Sequence, residues 1–271
     1  MSVFEAQPTP GVGRVLAFVT AIKVNTDGTR ISYKADDPRG QNGAINDIRN
    51  AFRNPKRPIS DFEAIRNAGW QPASQVWAVL DPSIIEQSKQ ANKTGSPCLD
   101  TDGYLVSMTA DVAVDGGFNR QGDCDQSKWI DALKIPAIVL PRSTAAAPSQ
   151  FAAKGARTRH VAVVMTLDQP RRLVAGIVGD VGPSNELGEA TVEMNRMLNG
   201  LPDGERPRSR QDAKERFQAG RSLVLVFPGE ANRLARPITP ERVRNFARAR
   251  FEAWGGGARL NACLPEVLGG Q

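Results

Sequence analysis

Four apolar runs constrain this chain most: Ala137–Leu140, His160–Met165, Leu173–Val178 and Ser222–Phe227. Each is as long as a strand, and none alternates cleanly between apolar and polar residues. Strands that read this way are covered on both faces. An earlier segment, Val15-Leu16-Ala17-Phe18-Val19-Thr20-Ala21-Ile22, reads as a strand of the same kind. It is short for a membrane span. Asn25-Thr26-Asp27-Gly28 is expected as a hairpin turn into Thr29–Tyr33. A further strand is expected over Tyr104–Thr109.

Helical signals are fewer. Ala44, Ile45, Ile48, Ala51 and Phe52 recur at helical spacing. Ser60-Asp61-Phe62-Glu63 has the form of a capping box, and Gly69 a stop. Asp81-Pro82 reads as the cap and first position of a helix reaching about Gln90. Ala190, Met194, Met197 and Leu198 lie on one face of a helix that is expected to start near Glu189. Short strands with a few helices predict an α+β protein. Its centre is expected to be a small mixed β-barrel with peripheral helices. A double-psi barrel is the specific expectation, by analogy with other glycan-cleaving enzymes. One domain is expected over 13–262, with tails at 1–12 and 263–271. The charged stretch 202–220 reads as an insertion; it holds Arg206, Arg208 and Arg210.

At 271 residues, with 40% apolar and 24% charged residues, the chain falls among ordinary globular proteins. Its net charge of +6 favours an acidic partner or surface. No zinc spacing, helix-turn-helix pattern or basic arm points to nucleic acid, and no nucleic-acid partner or membrane span is expected. One histidine and three cysteines without Cys-x-x-Cys make a zinc site improbable, and no metal or cofactor is expected. Cys98 and Cys124 flank one hairpin-like segment. In an oxidising compartment they would pair, and otherwise all three cysteines are free thiols. His160 leads an apolar strand, which suits a packed or edge residue better than a base. No cleavable signal peptide is visible, so secretion or delivery to the periplasm would use another route, and cytoplasmic residence stays open.

The chemistry-bearing stretch is Gly179-Asp180-Val181-Gly182-Pro183-Ser184-Asn185-Glu186-Leu187-Gly188-Glu189-Ala190-Thr191. It sets Asp180 and Glu189 at the two ends of one Gly- and Pro-rich connection. Two carboxylates held apart in this way can act as acid and base across a scissile bond. The alternative is a pair of ordinary loop acids.

The wording of this stretch resembles the signature of the family 75 glycoside hydrolases, the chitosanases. Four other pieces follow that family's order: Gly103-Tyr104-Leu105-Val106-Ser107-Met108-Thr109; Trp129-Ile130-Asp131-Ala132 with Ile135-Pro136-Ala137-Ile138-Val139-Leu140-Pro141; Val226-Phe227-Pro228-Gly229; and Phe251-Glu252-Ala253-Trp254-Gly255-Gly256. The similarity runs from about Thr20 to Leu260. It implies an inverting, endo-acting hydrolase of β-1,4-linked amino-sugar polymers, with chitosan as substrate. Glu189 would be the acid and Asp180 the base, and Asp27, Asp102, Ser107, Thr109 and Asp131 would contact substrate. The chain departs from the pattern at Arg159-His160, where the family often has Gly-Asp, and at Leu105 and Ala137, where aromatic residues are expected. Those departures and the basic charge favour a second reading, an antibacterial effector that cleaves peptidoglycan and has an inhibitor or immunity protein as partner. A third is an inactive glycan- or protein-binding module.

Overall fold

The computed structural model describes residues 3–115, 122–184 and 186–269. Nine strands occur among them: β1 (Phe4–Thr9), β2 (Gly13–Asn25), β3 (Tyr33–Lys34), β4 (Tyr104–Leu105), β5 (Ala137–Pro141), β6 (Val161–Thr166), β7 (Leu173–Gly182), β8 (Glu189–Thr191) and β9 (Gly220–Phe227). The helices are α1 (Ile59–Asn67), α2 (Ala73–Val79), α3 (Gln150–Ala153), α4 (Val192–Asn199), α5 (Arg210–Arg216), α6 (Pro240–Trp254) and α7 (Gly256–Gly269). The chain forms two units. One comprises residues 1–25, 134–205 and 217–271, and the other residues 26–133 and 206–216.

The first unit is the expected small mixed barrel. Its strands follow the order β2-β8-β5-β7-β6-β9, and β9 pairs back with β2 to close the ring. Closure leaves those six strands without an edge. The β2–β8 and β5–β7 pairs are parallel, and the other four are antiparallel. One cluster takes side chains from all six strands and fills the interior: Leu16 and Phe18, Ala190, Ile138 and Leu140, Val174 and Val178, Ala162 and Val164, Val224 and Val226. The alternate residues of β2, β6 and β9, among them Val15, Ala17, Val163 and Leu225, pack outside against Phe251, Trp254, Leu260 and Leu264 of α6 and α7. That double coverage explains why these strands show no polar face.

The ends of the chain belong to this unit. Phe4–Thr9, expected as a tail, pairs with β2 (Phe4↔Ala17, Ala6↔Val15). Residues 263–269, also expected as a tail, continue α7 and bury Leu264 and Val267. The helix expected from Glu189 starts later. Residues 189–191 are β8, and Thr191 caps α4 by accepting from the Met194 N–H at 3.2 Å.

The second unit has its own core, with Tyr33, Ile48, Phe52, Phe62, Ile65, Val76 and Leu105. Several local readings fail here. Asn25–Gly28 forms no hairpin, because β3 pairs with β4 instead of with β2. Ala44, Ile45, Ile48, Ala51 and Phe52 are buried, but only Ile48–Ala51 is helical, as one short 3-10 turn. Helix α1 exists and ends at Asn67, with Gly69 at positive φ just beyond its Ala68 cap, yet Pro58 stands at its N-terminal cap with no side-chain bond. No helix follows Asp81. Its carboxylate binds the N–H and hydroxyl of Ser83, and Ile85 and Gln87 then make bridges with Ser107 and Pro97. Of the strand expected at 104–109, only Tyr104–Leu105 is regular. Cys98 and Cys124 form a disulfide, and Cys263 is free. In the charged insertion, α5 is anchored by Arg210, which pairs with the buried Asp47 at 3.4 Å.

Candidate active site

The register of β5 places the two signature carboxylates. Val139 is the direct partner of Asp180 on β7 and of Glu189 on β8. Directly opposed residues share a face of the sheet. Ile138 and Leu140, on either side of Val139, are in the barrel core, so Val139 faces outward. Asp180, Val139 and Glu189 therefore form one row across the outer wall.

A bulge is what brings Asp180 into that row. Ile138 pairs with Val178, and the next residue, Val139, pairs with Asp180, so Gly179 is passed over. Val178 points into the core. Without the extra residue, a side chain two positions on would also point inward. The bulge turns the carboxylate out, a use of bulges found beside active sites.

The two Cα atoms are two strand spacings apart, about 9–10 Å. Inverting glycosidases hold their carboxyl groups about 6.5–9.5 Å apart, a spacing that side chains on Cα atoms this far apart can span. Gly182 shapes the space between. A Cβ on Gly182 would sit 3.1 Å from Cγ1 of Val139 and 3.4 Å from Oε2 of Glu189. The Glu189 side chain thus leans over Val139 towards the strand that carries Asp180. Asp180 accepts from the Val181 N–H at 2.8 Å. Both carboxylates are half-buried. Asn185 of the signature lies outside the described residues.

Support comes from behind. The Thr191 hydroxyl donates to the Ile135 carbonyl at 2.8 Å and accepts from the Ala137 N–H at 3.0 Å. The Asn195 amide, fully buried, donates to the carbonyls of Ala190 and Thr191, both at 3.0 Å. Gly188 takes φ +94°, and a Cβ there would lie 2.3 Å from the Ala21 carbonyl oxygen. These contacts hold β8, and with it Glu189, against β5 and β2. Because Glu189 is in a strand, it lies outside the first helical turn, and the α4 dipole does not act on it as it would there. Lys23 is the register partner of Glu189 on β2, exposed and on the same face. Sequence reasoning missed Val139, Gly182, Thr191 and Lys23, whose roles depend on pairing between distant segments.

The expected substrate contacts all belong to the second unit. Asp27 is half-buried and accepts from the Tyr33 hydroxyl at 2.8 Å and the Ser107 hydroxyl at 3.2 Å. Asn46 donates to the same Tyr33 oxygen at 3.0 Å. Ser107 is wholly buried, and its hydroxyl also accepts from the Gly28 N–H. Thr109 is buried, donating to the Asp111 carbonyl and accepting from the Ile130 N–H. Ser107 and Thr109 thereby fix the loops around Gly28 and Ile130. Asp102 is exposed in an ion pair with Arg30. Asp131 accepts from the Leu133 N–H at 3.0 Å.

His160 is buried, and its Nδ1 accepts from the Arg157 N–H at 2.9 Å. Burial, reinforced by the nearby Arg233, lowers its pKa to about 4. It is a packed neutral imidazole at neutral pH. Among the described residues, no three His, Cys, Asp or Glu side chains are grouped to hold a metal, and no helix is long and apolar enough to cross a membrane. The chain matches no protein-family model and no curated protein sequence.

Proposed function

We propose that this protein is an inverting glycoside hydrolase whose acid is Glu189 and whose base is Asp180. The observation that carries the reading is their placement in one outward row across Val139, achieved by a bulge at Gly179. In such a reaction one carboxyl protonates the leaving oxygen while the other, ionised, activates water on the opposite side of the sugar. The separation across two strands leaves room for that water. The resemblance to family 75 suggests a β-1,4-linked amino-sugar polymer, with chitosan first.

One observation favours a second substrate, the acidic amino-sugar polymer peptidoglycan. A chitosan cleft needs surplus carboxylates to meet a polycation. Among the acids of the second unit, Asp102 is paired with Arg30 and Asp36 with Lys34, and Asp37 is buried, accepting three backbone N–H groups. A lysine, Lys23, neighbours Glu189.

The test is digestion of chitosan and of purified sacculi in parallel, with products identified by mass spectrometry. Asp180→Asn and Glu189→Gln should each lower the rate on the true substrate by about 10²-fold or more, with unchanged circular dichroism. Near wild-type activity in both amides would overturn the assignment.

A further inference from the structure

We infer that the end of the barrel between β5 and β7 is a binding site for a short aliphatic carboxylate. The inference stands apart from the glycosidase reading, because the cavity opens on the inner side of β7, where Val178 and Val181 point, and Asp180 points outward.

A pocket of about 130 Å³ lies there. Its walls include Leu140, Phe151, Val178 and Val181, and Arg142 and Arg157 also line it. Leu140, Val178 and Phe151 belong to the barrel core, so the pocket is a continuation of that core to the surface. At about 30 Å³ for each water, the volume suits the short hydrocarbon tail of such an acid, with its carboxylate at the mouth. Apolar walls offer water few partners and favour a hydrocarbon body.

The two arginines supply the other half of the recognition. The Arg142 N–H donates to the Gly182 carbonyl at 3.0 Å, which fixes that residue at the end of β7. The Arg157 N–H is held by the buried His160, and its Nη1 reaches the carbonyls of Ala152 and Ala156 at 3.5 and 3.4 Å, two residues that line the same cavity. Two arginines from separate segments thus line one small apolar pocket. An anion at its mouth would be met by positive charge from either arginine, and the planar fork of a guanidinium matches a carboxylate. A short acid with an apolar tail meets both demands. Its source is either a free acid or the acidic side group of a polymer, such as the lactyl ether of a sugar.

The test is an NMR titration of the full ¹⁵N-labelled chain with butyrate, with butyramide as neutral isostere. Butyrate should give saturable shifts at the Leu140, Ala156 and Val181 amides, and butyramide should not. Arg142→Gln and Arg157→Gln, both at exposed positions, should each weaken binding about tenfold while leaving the remaining spectrum in place. Competition by N-acetylmuramic acid would identify the polymer side group as the source, and butyrate binding without that competition would identify a free acid. Absence of saturable shifts, equal shifts from butyramide, or unchanged affinity in both variants would overturn the inference.

Discussion

Asp180 and Glu189 are each the direct cross-strand partner of Val139, so two carboxylates that the sequence separates by a turn stand on one face with a single valine between them. The arrangement depends on Gly179 being passed over in the β5–β7 ladder. The signature turn therefore has two tasks: it joins β7 to β8, and it sets the parity that turns Asp180 out of the barrel.

Gly182 gives the sharpest check of that geometry. Its φ is ordinary, so alanine is not strained there. The new methyl would press on Val139 and meet Glu189 at ordinary contact distance. Gly182→Ala should leave the melting temperature within a few degrees of wild type and lower kcat by about tenfold, because small misplacements of a reacting group are costly. Gly182→Val should lose more. Full activity in both variants would show that Glu189 does not work from this position.

The barrel was legible in the sequence because its strands are buried on both faces and read as unbroken apolar runs. Leu173–Val178 and Ser222–Phe227 needed no partner to be recognised. The second unit was less legible for the opposite reason. Asp81-Pro82 carries a helix signal, but Glu86 donates its N–H to the Val106 carbonyl and accepts from the Cys98 N–H, so distant backbone captures the segment. β8 is three residues long, too short to show a period, and the helix pattern of Met194 and Leu198 extended over it. The signature proposes the two carboxylates, but nothing in it points to Val139 between them. Register is a property of three segments at once.

A buried ion pair offers a stability test in the second unit. Lys128 Nζ lies 2.6 Å from Glu86 Oε1, and each residue is 1% exposed. Asp123 also pairs with Lys128, and the Trp129 indole donates to Glu86 at 3.3 Å. Removing one partner leaves a buried charge without its counter-ion, at a cost of about 3–5 kcal/mol. Lys128→Met should lose about that much in urea denaturation. Glu86→Gln combined with Lys128→Met should recover part of the loss, since it removes the stranded charge. A double variant that is less stable than Lys128→Met would refute the buried-charge account.

His160 predicts how stability varies with pH. Its folded pKa, about 4, lies below the ordinary 6.5. Between those values the unfolded chain binds a proton that the folded chain refuses, so stability falls as pH drops through that window. Above pH 6.5 both states are neutral, and below about 4 the loss is complete. The full effect is on the order of 3 kcal/mol. His160→Gln should flatten this part of the curve, measured as the difference in urea midpoint between pH 7 and pH 4.5. An unchanged slope would mean that His160 is not what makes the protein acid-sensitive.

Lys23 bears on the charge of the substrate. It is the partner of Glu189 on the outer face, and its ammonium is exposed. A sugar seated at Glu189 would lie within a few ångströms of it. At an exposed site such a charge contributes up to about 1 kcal/mol, which is a few-fold in kcat/KM. A glucosamine unit carries a positive charge and would be repelled, whereas a carboxylate-bearing unit would be attracted. Lys23→Gln should therefore raise kcat/KM on chitosan about threefold and lower it on an acidic amino-sugar polymer by a similar factor. Both differences should shrink at high salt, because screening acts on the same charge. Equal changes on the two substrates would place Lys23 outside the reach of either polymer, and a fall on chitosan alone would reverse the sign expected of a cation beside Glu189.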